Sequence, residues 1–313
     1  MSTICVVGSL AYDDGQTPFE RKRAVLGGAA SYFSFAASLY APVRMVGVVG
    51  SDFRPEDIAR FEAHGVDLAG LERREGRSFH WSGRYGYEMG AAETLATDLG
   101  VFGDWHPQVP ASFADSAFLF LANIDPEIQL DVLAQVKRPI AVALDTMNYW
   151  IDHKRDVLAQ VMAEVDIVSI NEGEARQFCR TFSIVRAARE ILALGPKALV
   201  VKRGEYGSTL FTGDRSFWAP AFPLEKIQDP TGAGDSFAGG FMGYLARAGR
   251  VDDGTLRHAV IHGTVAASFA VESFSVDGVA AVTRERASER FRVLRRLVAL
   301  EAEALDEGEP FKH

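Results

Sequence analysis

The chain has 313 residues, 48% of them hydrophobic, which is enough apolar material for one large core or two smaller ones. A formal net charge of −9 argues against a broad nucleic-acid or anionic-membrane surface, while a local loop with one or two cations still suffices for a nucleotide. The two cysteines, Cys5 and Cys179, form no CxxC pair, so neither a disulfide framework nor a zinc site is indicated. No apolar run reaches the ~18 residues of a membrane span. Met1–Gly8 lacks a basic leader and reads as a strand, so the expected location is cytoplasmic.

In chain order, short apolar runs at Ile4–Val7, Met45–Val49, Ala117–Leu121, Ile140–Leu144, Ile167–Ile170, Ala198–Val201 and Ser208–Phe211 predict strands. Between them, Ile58–Ala63, Gln129–Val136, Val157–Val165, Val185–Leu194 and Leu256–Ala270 carry helical spacing. That alternation predicts an α/β fold with a mainly parallel sheet and helices on both faces. Ligands of such sheets bind beyond the carboxyl ends of the strands. Segments 11–27 and 76–105 differ in character. In the second, Phe79, Trp81, Tyr85 and Tyr87 recur at period two, which predicts strands with one apolar face that cover either the main core or a separate site. Arg284–Leu305, with Phe291, Leu294, Leu297, Val298 and Leu305, predicts a solvated helix packed on one side. Without a repeat or clear linker, residues 1–313 read as a single domain.

The most informative stretch is Asp229-Pro-Thr-Gly-Ala-Gly-Asp235, leading into an apolar helical segment with Phe237, Phe241 and Leu245. Small residues at 232–234 allow positive φ and close approach to a ligand. Free N–H groups at a helix start, with the positive end of its dipole, form a site for an anion such as phosphate. Asp235 places a carboxylate where that anion would rest. Phosphoryl transfer gives two negative groups a reason to meet; a tight turn with Asp235 as a cap is the plainer reading. No G-x-x-x-x-G-K-[ST] occurs, which excludes a P-loop, and neither Gly8-Ser-Leu nor Gly232-Ala-Gly continues as G-x-G-x-x-G.

The stretch resembles the D-T-x-G-A-G-D signature of the PfkB, or ribokinase-like, family of carbohydrate and nucleoside kinases, except that Pro230 stands where Thr is usual. Further similar segments follow the family's order: Gly8 to Asp13, with Asp14 leaving the register open by one; Gly27-Gly28; Gly47-Val-Val-Gly50-Ser-Asp52; Asp145-Thr-Met-Asn148; Asn171-Glu-Gly-Glu174; and Lys202-Arg-Gly204-Glu-Tyr-Gly207. The resemblance implies a three-layer α/β/α fold in which segments 11–27 and 76–105 form a small β-sheet lid. It implies an ATP-dependent kinase phosphorylating a hydroxyl of a sugar or nucleoside, the alternative being a non-catalytic nucleotide- or sugar-binding regulator. Carried over, Asp235 is the base and Gly232, Ala233 and Gly234 the anion hole. Asp13, Gly27, Gly28, Tyr32 and Asn148 face the acceptor, while Asn171, Lys202, Gly204, Gly207 and Thr231 face ATP. Glu174 anchors Mg²⁺ through water. A K⁺ site near Asp229 and residues 269–275, and a homodimer through the lid, are further implications. Several of these segments have local readings too: Asn171 and Glu174 as a helix cap, Gly204 and Gly207 as a hairpin, Lys202 as a surface charge.

Overall fold

The computed structural model describes residues 2–299. Nine strands form the main sheet in the order Arg215–Ala219, Ser208–Thr212, Ala198–Lys202, Ile167–Asn171, Ala141–Asp145, Phe118–Leu121, Ile4–Val7, Val43–Gly50 and Asp67–Arg74. From Ala198–Lys202 to Asp67–Arg74 the pairing is parallel throughout, and the remaining two strands are antiparallel additions. Successive side chains of a strand point to opposite faces. Accordingly Ile4, Val6, Phe118 and Phe120 join one core with the helices Ala29–Ser38, Ala233–Ala248 and Asp253–Ala270. Cys5, Val7, Leu119 and Leu121 join a second core under the helices Pro126–Leu133, Arg155–Glu164, Glu172–Cys179 and Ile184–Leu192. The expected α/β/α layering is the observed one.

A four-stranded sheet, ordered Arg21–Gly27, Ala11–Gln16, Phe79–Arg84, Glu93–Asp98, is the expected lid. Polar contacts hold it to the main sheet. Tyr12 Oη donates to Asp57 at 2.9 Å, and Asp52 accepts from both the N–H (2.8 Å) and the hydroxyl (2.7 Å) of Ser78. The segment Gly47–Asp52 therefore staples the sheets together. The period-two aromatics divide: Phe79 and Trp81 lie in the strand, while Tyr85 and Tyr87 lie beyond its end, Tyr87 being 84% exposed.

The C-terminal helix spans Arg284–Leu297, shorter than the expected Arg284–Leu305. Leu294 is buried and Phe291 packs on the core, but Leu297 and Val298 are exposed, and Leu305 lies outside the described residues. Two helices on the first core approach closely through glycine. A methyl group at Gly239 of Ala233–Ala248 would overlap the Phe33 carbonyl oxygen of Ala29–Ser38. Alanine gains up to about 1 kcal/mol of helix propensity over glycine, and overpacking costs about 1–3 kcal/mol. Gly239→Ala is therefore expected to be net destabilising in urea unfolding; a stability equal to or above wild type would contradict this contact.

Candidate active site

The site forms where the parallel strands end. Asp145, Asn171 and Lys202 are the last residues of three neighbouring strands. Gln129, fully buried, donates to the carbonyls of Ala122 (3.0 Å) and Asp145 (3.1 Å) and so fixes two strand ends relative to each other. Into this end comes the helix Ala233–Ala248, capped by Gly232 in the left-handed region at φ 73°. Only glycine fits there, because a Cβ would also run into the ring of Tyr32.

The turn is not three free donors. The Ala233 N–H bonds to the Pro230 carbonyl at 3.1 Å, which spends it within the turn. The N–H groups of Gly232 and Gly234 have no hydrogen-bond partner among the described residues. Lys202 Nζ would lie 3.2 Å from a Cβ on Gly234, so the ammonium stands beside the turn. Lys202 is no surface charge: its side chain is 16% exposed and paired with the buried Asp145.

Asp235 is partly accessible at the first turn of this helix. Burial and the Asp145 charge push its pKa up to about 6, with Lys202 pulling the other way. Glu174 is pushed to about 7 by burial and by Asp145, against the pull of Lys202. Burial alone would favour a neutral Lys202, but Asp145 and Glu174 outweigh it and hold the amine's pKa above the ordinary value. Asp13, buried, is raised to about 8 by burial, then by Asp229, Asp235 and Asp14. Asp13 is buried against Gly27, while Asp14 accepts from the Ala24 N–H (2.7 Å) and meets His80 (3.2 Å). Asp229 is buried, with its carboxylate held by the N–H of Thr231 at 3.0 Å.

The structure thus gathers Asp235, Gly232, Ala233, Gly234, Thr231, Lys202, Glu174 and Asp13. Gly27 and Gly28 stand beside Asp13; a Cβ on Gly27 would overlap its carboxylate, and Gly28 starts the helix Ala29–Ser38 at φ 91°. Other expected residues are placed differently. Tyr32 is buried under the Gly232 turn, so its ring supports the turn and offers no face to an acceptor. Asn148 is exposed, its side chain accepting from the Tyr149 N–H at 3.0 Å; in its segment the group that reaches the cluster is Asp145. Asn171 is exposed and forms a reciprocal capping box with Glu174. Gly204 and Gly207 shape the tight connection between two antiparallel strands. Tyr85, read from the sequence only as a lid aromatic, bonds Thr231 at 3.0 Å. A cavity of about 390 Å³ is lined by Thr17, Phe19, Met89, Ile227 and Phe274, and none of the gathered residues lines it.

A carboxyl whose folded-state pKa is raised holds its proton more tightly folded than unfolded. For Asp13 the cost to stability is absent below pH 3.8, grows as pH rises toward about 8, and then levels off. Asp13→Asn is expected to be more stable than wild type at pH 7 by at least about 1 kcal/mol, with no difference near pH 4. Urea titrations at the two pH values check this, and equal stability at both would contradict the placement.

With this geometry in hand, comparison with known proteins places the chain. The model of the pfkB family of carbohydrate kinases matches residues 1–281. The chain is 31% identical over 254 residues to the cytidine kinase of Thermococcus kodakarensis, covering 79% of this chain and 90% of that protein. Its fold matches the Burkholderia thailandensis nucleoside kinase in complex with inosine, with a TM-score of 0.77 at 20% identity over 93% of this chain and 97% of that one. It also matches the Arabidopsis thaliana ribokinase complexed with ribose and ATP, with a TM-score of 0.75 at 22% identity over 93% and 99%. The chain belongs to the pfkB family of carbohydrate and nucleoside kinases.

Proposed function

We propose that this chain transfers the γ-phosphoryl group of ATP to the hydroxymethyl group of a nucleoside, with Asp235 as the general base. The observation that carries the proposal is the juxtaposition of Asp235 with the unpaired Gly232 and Gly234 N–H groups and the Lys202 ammonium. Phosphoryl transfer passes through a loose transition state, so catalysis is chiefly alignment and charge stabilisation. The two N–H groups and Lys202 would hold the oxygens of the transferring group. Ala233 contributes the shape of the turn and not its N–H. Asp235, with a pKa near 6, is ionised at neutral pH and can take the acceptor's proton as the new bond forms.

The residues present fit Mg-ATP. Glycine at 234 leaves open the space beside Lys202 that a side chain would fill, and Lys202 supplies a largely buried positive charge there. Mg²⁺, when bound with ATP, neutralises the phosphate charge. Among the described residues no three His, Cys, Asp or Glu side chains are grouped to hold a metal on their own. Glu174 would therefore act on the ion's water ligands, in keeping with the reluctance of Mg²⁺ to dehydrate.

A nucleoside acceptor is supported by the similarity to the cytidine kinase over most of both chains. The buried Ala11 and Tyr32 support it too, because neither offers an amide to a bare sugar ring. Asp13, with Gly27 and Gly28, would face the sugar hydroxyls. Asp235→Asn is expected to bind Mg-ATP as wild type does and to lose about 10²- to 10⁴-fold in kcat with a nucleoside acceptor. Wild-type kcat/KM is expected to fall with acid, with the loss that belongs to Asp235 centred at about pH 6 and absent from the residual activity of Asp235→Asn. Wild-type kcat in Asp235→Asn would sink the assignment.

A further inference from the structure

The hydroxyl of Tyr85 stands 3.0 Å from Thr231 Oγ1, across 146 residues of sequence. Tyr85 directly follows the lid strand Phe79–Arg84, and its own N–H donates to the Gln16 carbonyl at 2.8 Å, which ties it to the neighbouring lid strand. On the other side, Thr231 immediately precedes Gly232, and its N–H donates to Asp229 at 3.0 Å. A continuous set of contacts therefore runs from the small sheet, through two hydroxyls, to the cap of the helix that carries Asp235.

Tyr85 is 8% exposed, whereas Tyr87, two residues on, is almost fully in solvent. A buried tyrosine hydroxyl takes a hydrogen-bond partner, and this one finds it on the glycine turn and not in its own sheet. Burial raises the phenol's pKa; the Thr231 contact opposes this, and the charges of Asp229, Asp13 and Asp235 add to it. The hydroxyl thus sits against Thr231, whose own N–H is held by the Asp229 carboxylate. A tyrosine serving only the lid's own packing would have no need of that position.

On the kinase reading above, we propose that Tyr85 is a positioning residue whose hydroxyl latches the small sheet onto Thr231, so that closure over an acceptor also fixes the Gly232–Gly234 turn. Enclosing the acceptor and ordering the phosphoryl-binding donors become one event. Without the latch, water reaches the transferring group more often, and ATP is hydrolysed without product.

The test uses the full-length wild type, Tyr85→Phe, Thr231→Val and the double variant, with Mg-ATP and a nucleoside panel. Acceptor KM, kcat and the ratio of ADP released to phosphorylated product are measured for each. Each single variant is expected to raise acceptor KM about fivefold, the worth of one hydrogen bond, and to raise the ADP-to-product ratio above that of wild type. The double variant is expected to be no worse than the more affected single one, as two ends of one contact require. An unchanged KM and ratio in Tyr85→Phe overturns the proposal, and so do additive effects. Lowered thermal stability with an unchanged ratio also overturns it, because that marks a role in packing alone. If Tyr85→Phe fails to fold, Thr231→Val reads the same contact from its other end. Failure of the kinase reading is a separate result: wild type then gives no phosphorylated product with any acceptor.

Discussion

A carboxylate held at the start of the helix Ala233–Ala248, within reach of a buried ammonium, is the constraint on which the rest of this molecule depends. Asp235 is crowded by burial and by Asp145, which together would keep it protonated, and Lys202 offsets enough of this to leave its pKa near 6. Lys202 in turn is held charged by Asp145 and Glu174. No member of this group could stand alone at such depth, because an unpaired buried charge is costly. The group is a balanced set, and its balance suits a base that is ionised at neutral pH yet still able to accept a proton.

Each part of the fold answers to that balance. The parallel strands bring Asp145 and Lys202 to one edge. The close packing of the helices Ala29–Ser38 and Ala233–Ala248, through glycines, seats Tyr32 beneath the turn. Tyr32 and the left-handed Gly232 shape the turn so that two of its N–H groups stay unspent while the third closes onto Pro230. The cost shows in stability: burial first, and neighbouring carboxylates second, raise the pKa values of Asp13, Glu174 and Asp235, so the folded chain carries them at a cost near neutral pH.

Much of the fold was legible in the sequence because strands buried on both faces announce themselves as continuous apolar runs. Asp67–Arg74 and Arg215–Ala219 gave no such signal, since edge strands with polar, half-exposed faces lack it. The glycine turn at a helix start was legible from local pattern, while the role given to Asp235 came from the family resemblance of the whole stretch. The resemblance pointed to Asn148 and Tyr32, but in the structure the Asn148 side chain bonds the Tyr149 N–H while Asp145 pairs with Lys202, and the Tyr32 ring packs beneath the turn. Local pattern could not reveal that the Ala233 N–H is spent, because that depends on how the turn closes. Nor could it reveal the bond between Tyr85 and Thr231, which joins residues far apart in the chain. Lys202 by itself reads more readily as a surface charge, and only its pairing with Asp145, two strands away in the sheet, shows otherwise.

The most direct measurement follows the fate of the γ-phosphoryl group itself. Purified protein is incubated with Mg-ATP carrying a labelled γ-phosphate and, separately, with cytidine, other nucleosides and free ribose, and products are resolved by phosphorus NMR. The account predicts label on the hydroxymethyl oxygen of a nucleoside, with ADP formed in equal amount. Label found only as inorganic phosphate, or on no acceptor at all, would contradict it.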